Sequence, residues 1–155
     1  MKIFIINLPE SKARMEAMKA QLTKLSLDWE FLLAFDGRKM PDDVKENIYD
    51  SKIAVKKFGR EMRNGEIGCA HSHRSVYRKM IAENISSAVI LEDDVILYDC
   101  FEETIKTIEK EHFHNTLIKL ENSIAGLRLS VWHNKKIGSN IILFISYIIL
   151  ISISF

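Results

Sequence analysis

Short apolar runs and helical apolar stripes follow one another along most of the chain. The first run, Lys2–Asn7, contains four consecutive apolar residues and ends at a polar Asn, which predicts a buried strand. Pro9-Glu10-Ser11 then turns the chain into a predicted helix, because apolar residues recur three to four positions apart. The residues of this stripe are Met15, Met18, Leu22 and Leu25.

A second strand is predicted over residues 27–35, where aromatic and aliphatic side chains alternate with other residues. It ends at Asp36-Gly37, a turn signal. Residues 38–64 are polar and mixed, and only a short helix starting around Pro41 is predicted there. The periodicity does not define this stretch further.

The second half of the pattern repeats the alternation. A helix is predicted over Asn64–Asn84, and residues 88–91, with the sequence AVIL, form the clearest strand because such runs are buried on both faces of a parallel sheet. A helix over residues 101–108 and a strand over residues 116–120 follow. Strands that alternate with helices predict an α/β sandwich with a mainly parallel sheet.

The final segment, residues 137–155, differs in composition from everything before it. It has no charged residue and is rich in Ile, Leu and Phe, so it is long enough to span a membrane as a helix. Lys135 and Lys136 precede it, as a cytoplasmic anchor would require. Its β-branched Ile residues instead favour a strand. Three interpretations therefore stay open, namely a membrane anchor, a core strand and the product of a frameshift or truncation.

Composition narrows the class of protein. The chain has 155 residues, 47% of them hydrophobic and 28% charged, which fits one folded domain. Its formal net charge is +1, so the chain lacks the large excess of positive charge that would attract nucleic acid. A nucleic-acid partner is therefore not expected. The two cysteines, Cys69 and Cys100, form no disulfide framework, and no secretory signal peptide is recognised at the start. A cytoplasmic location is expected.

Three adjacent carboxylates, Glu92-Asp93-Asp94, follow the clearest strand. Ligands bind at this edge of open α/β sheets, and Mg²⁺ or Mn²⁺ prefers such oxygen ligands. In an extended segment Glu92 and Asp94 point to the same side, so these two are the predicted metal ligands. Asp93 would face the other way and orient its neighbours or a sugar hydroxyl. Taken alone, the triplet favours an acidic strand-to-helix turn of solvated carboxylates over a metal site.

Several blocks together resemble one known family. They are Ile5-Ile6-Asn7-Leu8 with Ser11 and Arg14, Asp36-Gly37, the block GEIGCAHSH at residues 65–73, and the block AVILEDDV at residues 88–95. In this order and spacing they resemble glycosyltransferase family 25, whose members include bacterial lipooligosaccharide galactosyltransferases and collagen galactosyltransferases. The resemblance covers about residues 1–121, and the last two blocks are its most specific part.

The resemblance implies a GT-A-like, Rossmann-type fold that binds a nucleotide sugar. It implies metal-dependent, inverting transfer of a hexose from UDP-galactose to a lipooligosaccharide or other glycan acceptor. Mn²⁺ or Mg²⁺ is the implied cofactor. The residues implied to bind the donor are Asn7, Ser11, Arg14, Asp36, Glu66, Ser72, His73 and Asp93.

Each of these assignments has an ordinary alternative. A helix N-terminus with the guanidinium of Arg14 suits a diphosphate, but such an Arg is also common as a solvated charge. Asp36 would accept hydrogen bonds from uracil or ribose, or it is a simple turn residue before Gly37. Ser72 or His73 would form hydrogen bonds near the metal, or His73 is a structural histidine. Cys69 is expected to be a small core residue rather than a nucleophile.

Beyond residue 121 the family pattern fades, and it ends by residue 137. The predicted organisation is a donor-binding part over residues 1–121, a divergent segment over 122–136 and the apolar tail Ile137–Phe155. The C-terminal half of the expected fold is therefore incomplete, and no residue is assigned as the general base that inversion requires. The alternatives to an active transferase are an inactive remnant or membrane-tethered nucleotide-binding module, and a different metal-dependent phosphate enzyme.

Overall fold

The structure is a computed structural model, and it describes residues 1–110, 116–123, 126–133 and 148–152. The strands are β1 (Lys2–Asn7), β2 (Trp29–Leu33), β3 (Ser87–Glu92), β4 (Thr116–Ser123), β5 (Gly126–His133) and β6 (Ile148–Ser152). The helices are α1 (Lys12–Leu22), α2 (Asp42–Ile48), α3 (Ser51–Phe58), α4 (Asn64–Ala82) and α5 (Phe101–Lys110), with a 3₁₀ turn at Gly37–Lys39.

These strands form one sheet in the order β2-β1-β3-β6-β4-β5. β1 lies between β2 and β3 and pairs parallel with both, whereas the other three pairings are antiparallel. The predicted α/β class is confirmed, and its parallel part is the three-stranded unit β2-β1-β3. In register, Asn7 is opposite Leu33 and Ile6 is opposite Glu92, so the carboxyl ends of the three parallel strands share one edge.

Helices cover both faces of the parallel strands. On one face, side chains of β1 and β3 pack against α1 and α5. This cluster contains Ile3, Ile5, Met18, Leu22, Val89, Leu91, Phe101 and Ile105. On the other face, the alternate residues of the same strands pack against α4 in a cluster that contains Phe4, Ile6, Val76, Tyr77, Met80, Ala88 and Ile90. Both faces are therefore buried, which explains why these strands are continuous apolar runs rather than alternating ones.

Residues 38–64, which the hydrophobic pattern left largely undefined, contain the two helices α2 and α3. α2 begins at Asp42, as the sequence predicted. α3 was not predicted, although local capping defines it well. The side chain of Asp50 accepts a hydrogen bond from the backbone N–H of Ile53, and Gly59 ends the helix with φ of 73°, a left-handed conformation that favours glycine.

The start of α4 packs tightly against the turn that follows β2. A Cβ added to Gly68 would lie 2.5 Å from the backbone N of Gly37, and one added to Gly37 would lie 1.8 Å from the backbone O of Asn64. Only residues without a Cβ allow this approach. The hydroxyl of Ser72 adds a polar link, because it accepts a hydrogen bond of 2.8 Å from the backbone N–H of Phe35.

Part of the apolar tail is a strand. Ile148–Ser152 forms β6, which pairs antiparallel with both β3 and β4. The rest of residues 137–155 lies outside the described residues. Among the residues that the structure describes, no helix is both long and apolar enough to cross a bilayer.

Candidate functional site

A cavity of about 190 Å³ opens at the carboxyl edge of the parallel strands. It lies where the loops after β1, β2 and β3 meet the first turns of α1 and α4. Ligand sites of open α/β sheets lie at this edge. The cavity is lined by Ile6, Leu8, Arg14, Ala34, Phe35, Asp36, Gly37, Arg38, Gly65, Cys69, Ser72, His73, Glu92, Asp93 and Asp94.

The three adjacent carboxylates are placed in three different environments. Glu92 is the last residue of β3, and its side chain is 24% exposed. Asp93 and Asp94 lie in a turn instead of continuing the strand, so the extended geometry assumed for them does not hold. Asp93 is 8% exposed, whereas the Asp94 side chain is 49% exposed. Glu92 and Asp94 nevertheless both line the cavity.

Asp93 is held by residues of the β1–α1 segment. The side-chain amide of Asn7 donates a hydrogen bond of 2.6 Å to Oδ2 of Asp93, and Nη1 of Arg14 lies 3.2 Å from Oδ1. Buried carboxylates require such partners, because desolvation without them is costly. Asp93 therefore links the turn that contains Asp94 to β1 and α1.

Arg14 contacts both aspartates of the turn. Its Nη1 lies 3.7 Å from Oδ2 of Asp94, and its Nη2 donates to the hydroxyl of Ser11 at 2.7 Å. The side chain is 46% exposed, so the guanidinium is accessible from the cavity. Arg14 thus contacts two carboxylates, and Glu92 adds a third carboxylate to the cavity lining, a charge balance that suits a divalent cation.

The third carboxylate, Glu92, meets two residues of α4. Oε1 of Glu92 lies 3.4 Å from Nε2 of His73 and 3.5 Å from Sγ of Cys69. The contact with His73 is the main reason that the pKa of Glu92 is lowered. Burial, followed by the nearby Glu92 carboxylate, raises the pKa of the Cys69 thiol to about 12. Cys69 is thus protonated at neutral pH.

His71 and His73 diverge, as expected for helix positions two apart. His73 is buried against Glu92, whereas the His71 ring packs on Phe35 with centroids 4.7 Å apart. The two histidines therefore do not form a pair at one site.

Asp36 also lines the cavity, and its carboxylate is bound by Arg38. Its Oδ1 and Oδ2 each accept a hydrogen bond of 2.8 Å from the guanidinium, and Oδ1 also accepts one from the backbone N–H of Arg38. These interactions, with the side-chain hydrogen bond the largest, lower the pKa of Asp36. The carboxylate is charged and oriented, with Arg38 beside it at the cavity wall.

Not all of the residues predicted to bind the donor line the cavity. Asn7, Arg14, Asp36, Ser72, His73 and Asp93 are brought together there or directly behind its wall. Ser11 does not line the cavity and contacts the site through Arg14 and through a long hydrogen bond of 3.5 Å from the side-chain amide of Asn7 to its backbone O. Glu66 points elsewhere, because its carboxylate accepts from the backbone N–H of Arg63 and forms a two-pronged ion pair with Arg60. Its geometry is that of a helix cap.

Two lining residues with a charged or metal-binding side chain were not predicted from the sequence. Arg38 follows the Asp36-Gly37 turn and carries a cation into the cavity wall. Cys69 was assigned to the core, but its sulfur lies at the cavity beside Glu92. The available signal was its spacing from His73, because residues four apart lie on the same face of a helix.

Comparisons with known proteins agree on one family. A family model described as "Glycosyltransferase family 25 (LPS biosynthesis protein)" matches residues 1–140. A "Glycosyltransferase 25 family member" of Aedes aegypti is 38% identical over 96 residues, which cover 60% of this chain and 16% of that protein. The "Procollagen galactosyltransferase 1-B" of Xenopus laevis is 26% identical over 113 residues, covering 69% and 18% respectively.

One relative carries a different description. The "Probable inactive glycosyltransferase 25 family member 3" of Rattus norvegicus is 24% identical over 117 residues, covering 71% of this chain and 20% of that protein. The matched region of this chain thus spans between about a sixth and a fifth of the length of these curated relatives.

Proposed function

The chain belongs to glycosyltransferase family 25, and we propose that it holds the donor site of an enzyme that transfers a hexose from a UDP-sugar to a glycan. Galactose is the proposed hexose, because relatives are named procollagen galactosyltransferases. A lipooligosaccharide is the proposed acceptor, because the family is described by its role in LPS biosynthesis. Transfer is proposed to be inverting and metal-dependent, and the location cytoplasmic.

One observation carries this proposal. The carboxylates of Glu92 and Asp94 and the guanidinium of Arg14 line a single cavity at the carboxyl edge of the parallel strands. This combination suits a diphosphate, because a cation between the carboxylates and a guanidinium beside it would both bind phosphate oxygens. An acidic turn that is merely solvated would not require a buried, tethered Asp93 at its centre.

The donor set fits Mn²⁺ or Mg²⁺. Glu92 and Asp94 offer carboxylate oxygens, the ligands that these ions prefer. When bound, the ion would neutralise charge on the departing diphosphate. Asp93 acts as a positioning residue, since Asn7 and Arg14 hold it in place and it fixes the turn before Asp94.

The remaining assignments follow from position around the cavity. Arg14 would bind the diphosphate after exchanging its contact with Asp94 for a phosphate oxygen. Asp36 would accept from the uracil or ribose with the oxygen lone pairs that Arg38 leaves open. Two residues of α4 would stabilise the proposed metal site. Ser72 would act through its hydrogen bond with the backbone of Phe35, and His73 through its contact with Glu92.

The proposed organisation assigns donor binding to residues 1–121, followed by a divergent segment over residues 122–136. Residues 137–155 contribute β6 to the sheet, and we propose any membrane association to be peripheral through the same tail. Fractionation of the full chain with liposomes would test that association. No residue is assigned as the general base.

A second function is favoured by a specific observation. Several similar proteins are described as inactive or probable inactive members of the family. A chain that binds UDP-sugar without transferring it would be a nucleotide-binding module rather than an enzyme. Both functions share the same donor site, so binding alone does not separate them.

A transfer assay separates the two. The full chain would be incubated with radiolabelled UDP-galactose, Mn²⁺ and a lipooligosaccharide that lacks terminal galactose, with chelator as the negative control. Label in the glycan that depends on Mn²⁺ and is lost in Asp94→Asn would support the transferase. Metal-dependent binding without transfer would favour the module, and the absence of both would refute the proposal.

A further inference from the structure

Three different ligand atoms meet beside the proposed donor site. The sulfur of Cys69, an imidazole nitrogen of His73 and a carboxylate oxygen of Glu92 all lie within 4.8 Å of one another. We propose that these three residues bind a borderline-soft divalent cation, Zn²⁺ above all, at a second site that shares Glu92 with the proposed Glu92–Asp94 pair. Thiolate and imidazole ligands select such ions, whereas Mg²⁺ and Mn²⁺ prefer oxygen.

Two of the three ligand–ligand distances fit tetrahedral coordination. With Zn–S of about 2.3 Å and Zn–N and Zn–O of about 2.0–2.2 Å, ligand atoms of a tetrahedral site lie roughly 3.3–3.6 Å apart. Sγ of Cys69 is 3.5 Å and Nε2 of His73 is 3.4 Å from the same oxygen, Oε1 of Glu92. Two of the three pairs of ligand atoms thus already lie at the separation of a tetrahedral site. The third pair belongs to Cys69 and His73, which lie one helical turn apart on α4.

The contacts that a metal would replace are weak. An N–H···O hydrogen bond is commonly about 2.9 Å long, so the 3.4 Å contact of His73 with Glu92 is a long one. Binding Zn²⁺ would exchange this contact and the thiol contact for coordinate bonds, with the thiol proton released to solvent. All three residues line the cavity, so the ion has an entry path and a fourth position open to water.

Sharing Glu92 has a functional consequence. A Zn²⁺ ion held by Cys69, His73 and Glu92 withdraws this carboxylate from the proposed Mn²⁺ or Mg²⁺ position. Zn²⁺ would therefore act as an antagonist of metal-dependent nucleotide binding. The antagonism rests on the proposed function, whereas binding of Zn²⁺ itself does not.

Cobalt replaces zinc as a spectroscopic probe in the test. We expect Co²⁺ added to the full chain to give a sulfur-to-cobalt charge-transfer band that one equivalent of Zn²⁺ abolishes. The band should be lost in Cys69→Ser and retained in Cys100→Ser, the matched control, since Cys100 is the other free thiol and is exposed. A wild-type chain without the band, or a band lost only in Cys100→Ser, would overturn the site.

A measurement on unmodified protein removes any dependence on how the variants fold. Zn²⁺ should slow alkylation of Cys69 by at least about tenfold while leaving Cys100 unchanged, as mapped by mass spectrometry. Equal protection of both thiols, or of neither, would contradict the proposal.

Asp94→Asn should keep the cobalt band while losing Mn²⁺-dependent UDP binding. Failure of the zinc site and failure of the donor site are therefore distinguishable.

Discussion

The side chain of Asn7, at the end of β1, donates a hydrogen bond of 2.6 Å to the buried carboxylate of Asp93, which lies just beyond the end of β3. The two residues are 86 positions apart in the chain. Parallel pairing of β1 with β3 brings them to the same edge of the sheet. This contact joins the β1–α1 segment, which carries Arg14, to the turn that carries Asp94.

Removing the Asn7 amide should destabilise the fold. Asn7→Ala leaves the buried Asp93 carboxylate with one partner fewer, and we expect the free energy of unfolding to fall by about 1–3 kcal/mol. Urea denaturation measures this change. Asn47→Ala is the control, because that side chain is exposed and bonds only to the backbone O of Asp43 in its own helix. Equal effects of both variants would show that the Asn7–Asp93 bond does not stabilise the site.

Gly68 should not tolerate a methyl group, whereas Gly65 should. A Cβ at Gly68 would meet backbone atoms of Phe35 and Gly37 at 2.7 Å or less, while one at Gly65 meets nothing within 4 Å. We expect Gly68→Ala to lose about 1–3 kcal/mol of stability through overpacking. Gly65→Ala should be neutral or stabilising by up to about 1 kcal/mol, because Ala is the better helix former. If thermal unfolding finds both variants unchanged, the turn after β2 is not packed against α4.

Glu66 should cap the start of α4, and its contribution to the stability of the protein should depend on pH. Its ion pair with Arg60 and its bond from the Arg63 backbone lower its pKa from 4.5 to about 2 in the folded protein. Because the pKa of Glu66 is lower in the folded protein than in the unfolded chain, its charged carboxylate stabilises the folded protein above pH 4.5. This stabilisation is lost as the pH falls from 4.5 toward 2. Glu66→Gln should therefore melt below wild type at pH 7, with a difference that shrinks through this range.

The neighbouring exposed Glu61 provides the control for that titration. Glu61→Gln should melt as wild type does, because Arg60 bonds to the backbone oxygen of Glu61 and to the carboxylate of Glu66. The sequence predicted a donor-binding role for Glu66 instead. A Glu66→Gln chain with unchanged melting at every pH but weaker UDP binding would favour that role over capping.

Arg14 should contribute to nucleotide affinity in addition to holding the buried Asp93 carboxylate. Its guanidinium is half exposed and lines the cavity, so Arg14→Ala would remove the charged hydrogen bond that we propose for the diphosphate. A loss of about 1.5–3 kcal/mol corresponds to UDP affinity lower by about ten- to a hundredfold. Calorimetry would measure it, with Lys12→Ala as a control for net charge on the same helix. Comparable losses in both variants would mean that only the overall charge matters.

Hydrophobic patterning predicted the elements around the core well. β1 is found at the predicted residues, because a run of apolar side chains buried on both faces has few alternatives. β2 is shorter than predicted, since the alternation extended beyond the paired residues and Leu33 is 75% exposed. α3 was missed because its signals are the local caps Asp50 and Gly59 rather than an apolar stripe. Antiparallel pairing of β6 depends on contacts distant in sequence, which periodicity does not report.

The site was predicted in its residue types more than in its geometry. Adjacent carboxylates at a strand end identified the region, but Asp93 and Asp94 lie in a turn, and Asp93 lines the cavity together with Glu92 and Asp94. Side-chain partners such as Arg38 for Asp36 and Arg60 for Glu66 depend on rotamers and loop paths. Cys69 was assigned to the core because its burial was judged by residue type, whereas the contact with Glu92 arises only when α4 packs beside β3.

Binding of UDP to the full chain, measured by calorimetry with Mn²⁺ and with chelator, tests the central claim most directly. The comparison is between wild type and Asp94→Asn, which removes one charge at a half-exposed position. We predict UDP binding that requires Mn²⁺ in wild type and is weakened by at least about tenfold in the variant. Equal UDP affinity in the two proteins, or in Mn²⁺ and chelator, would contradict the account.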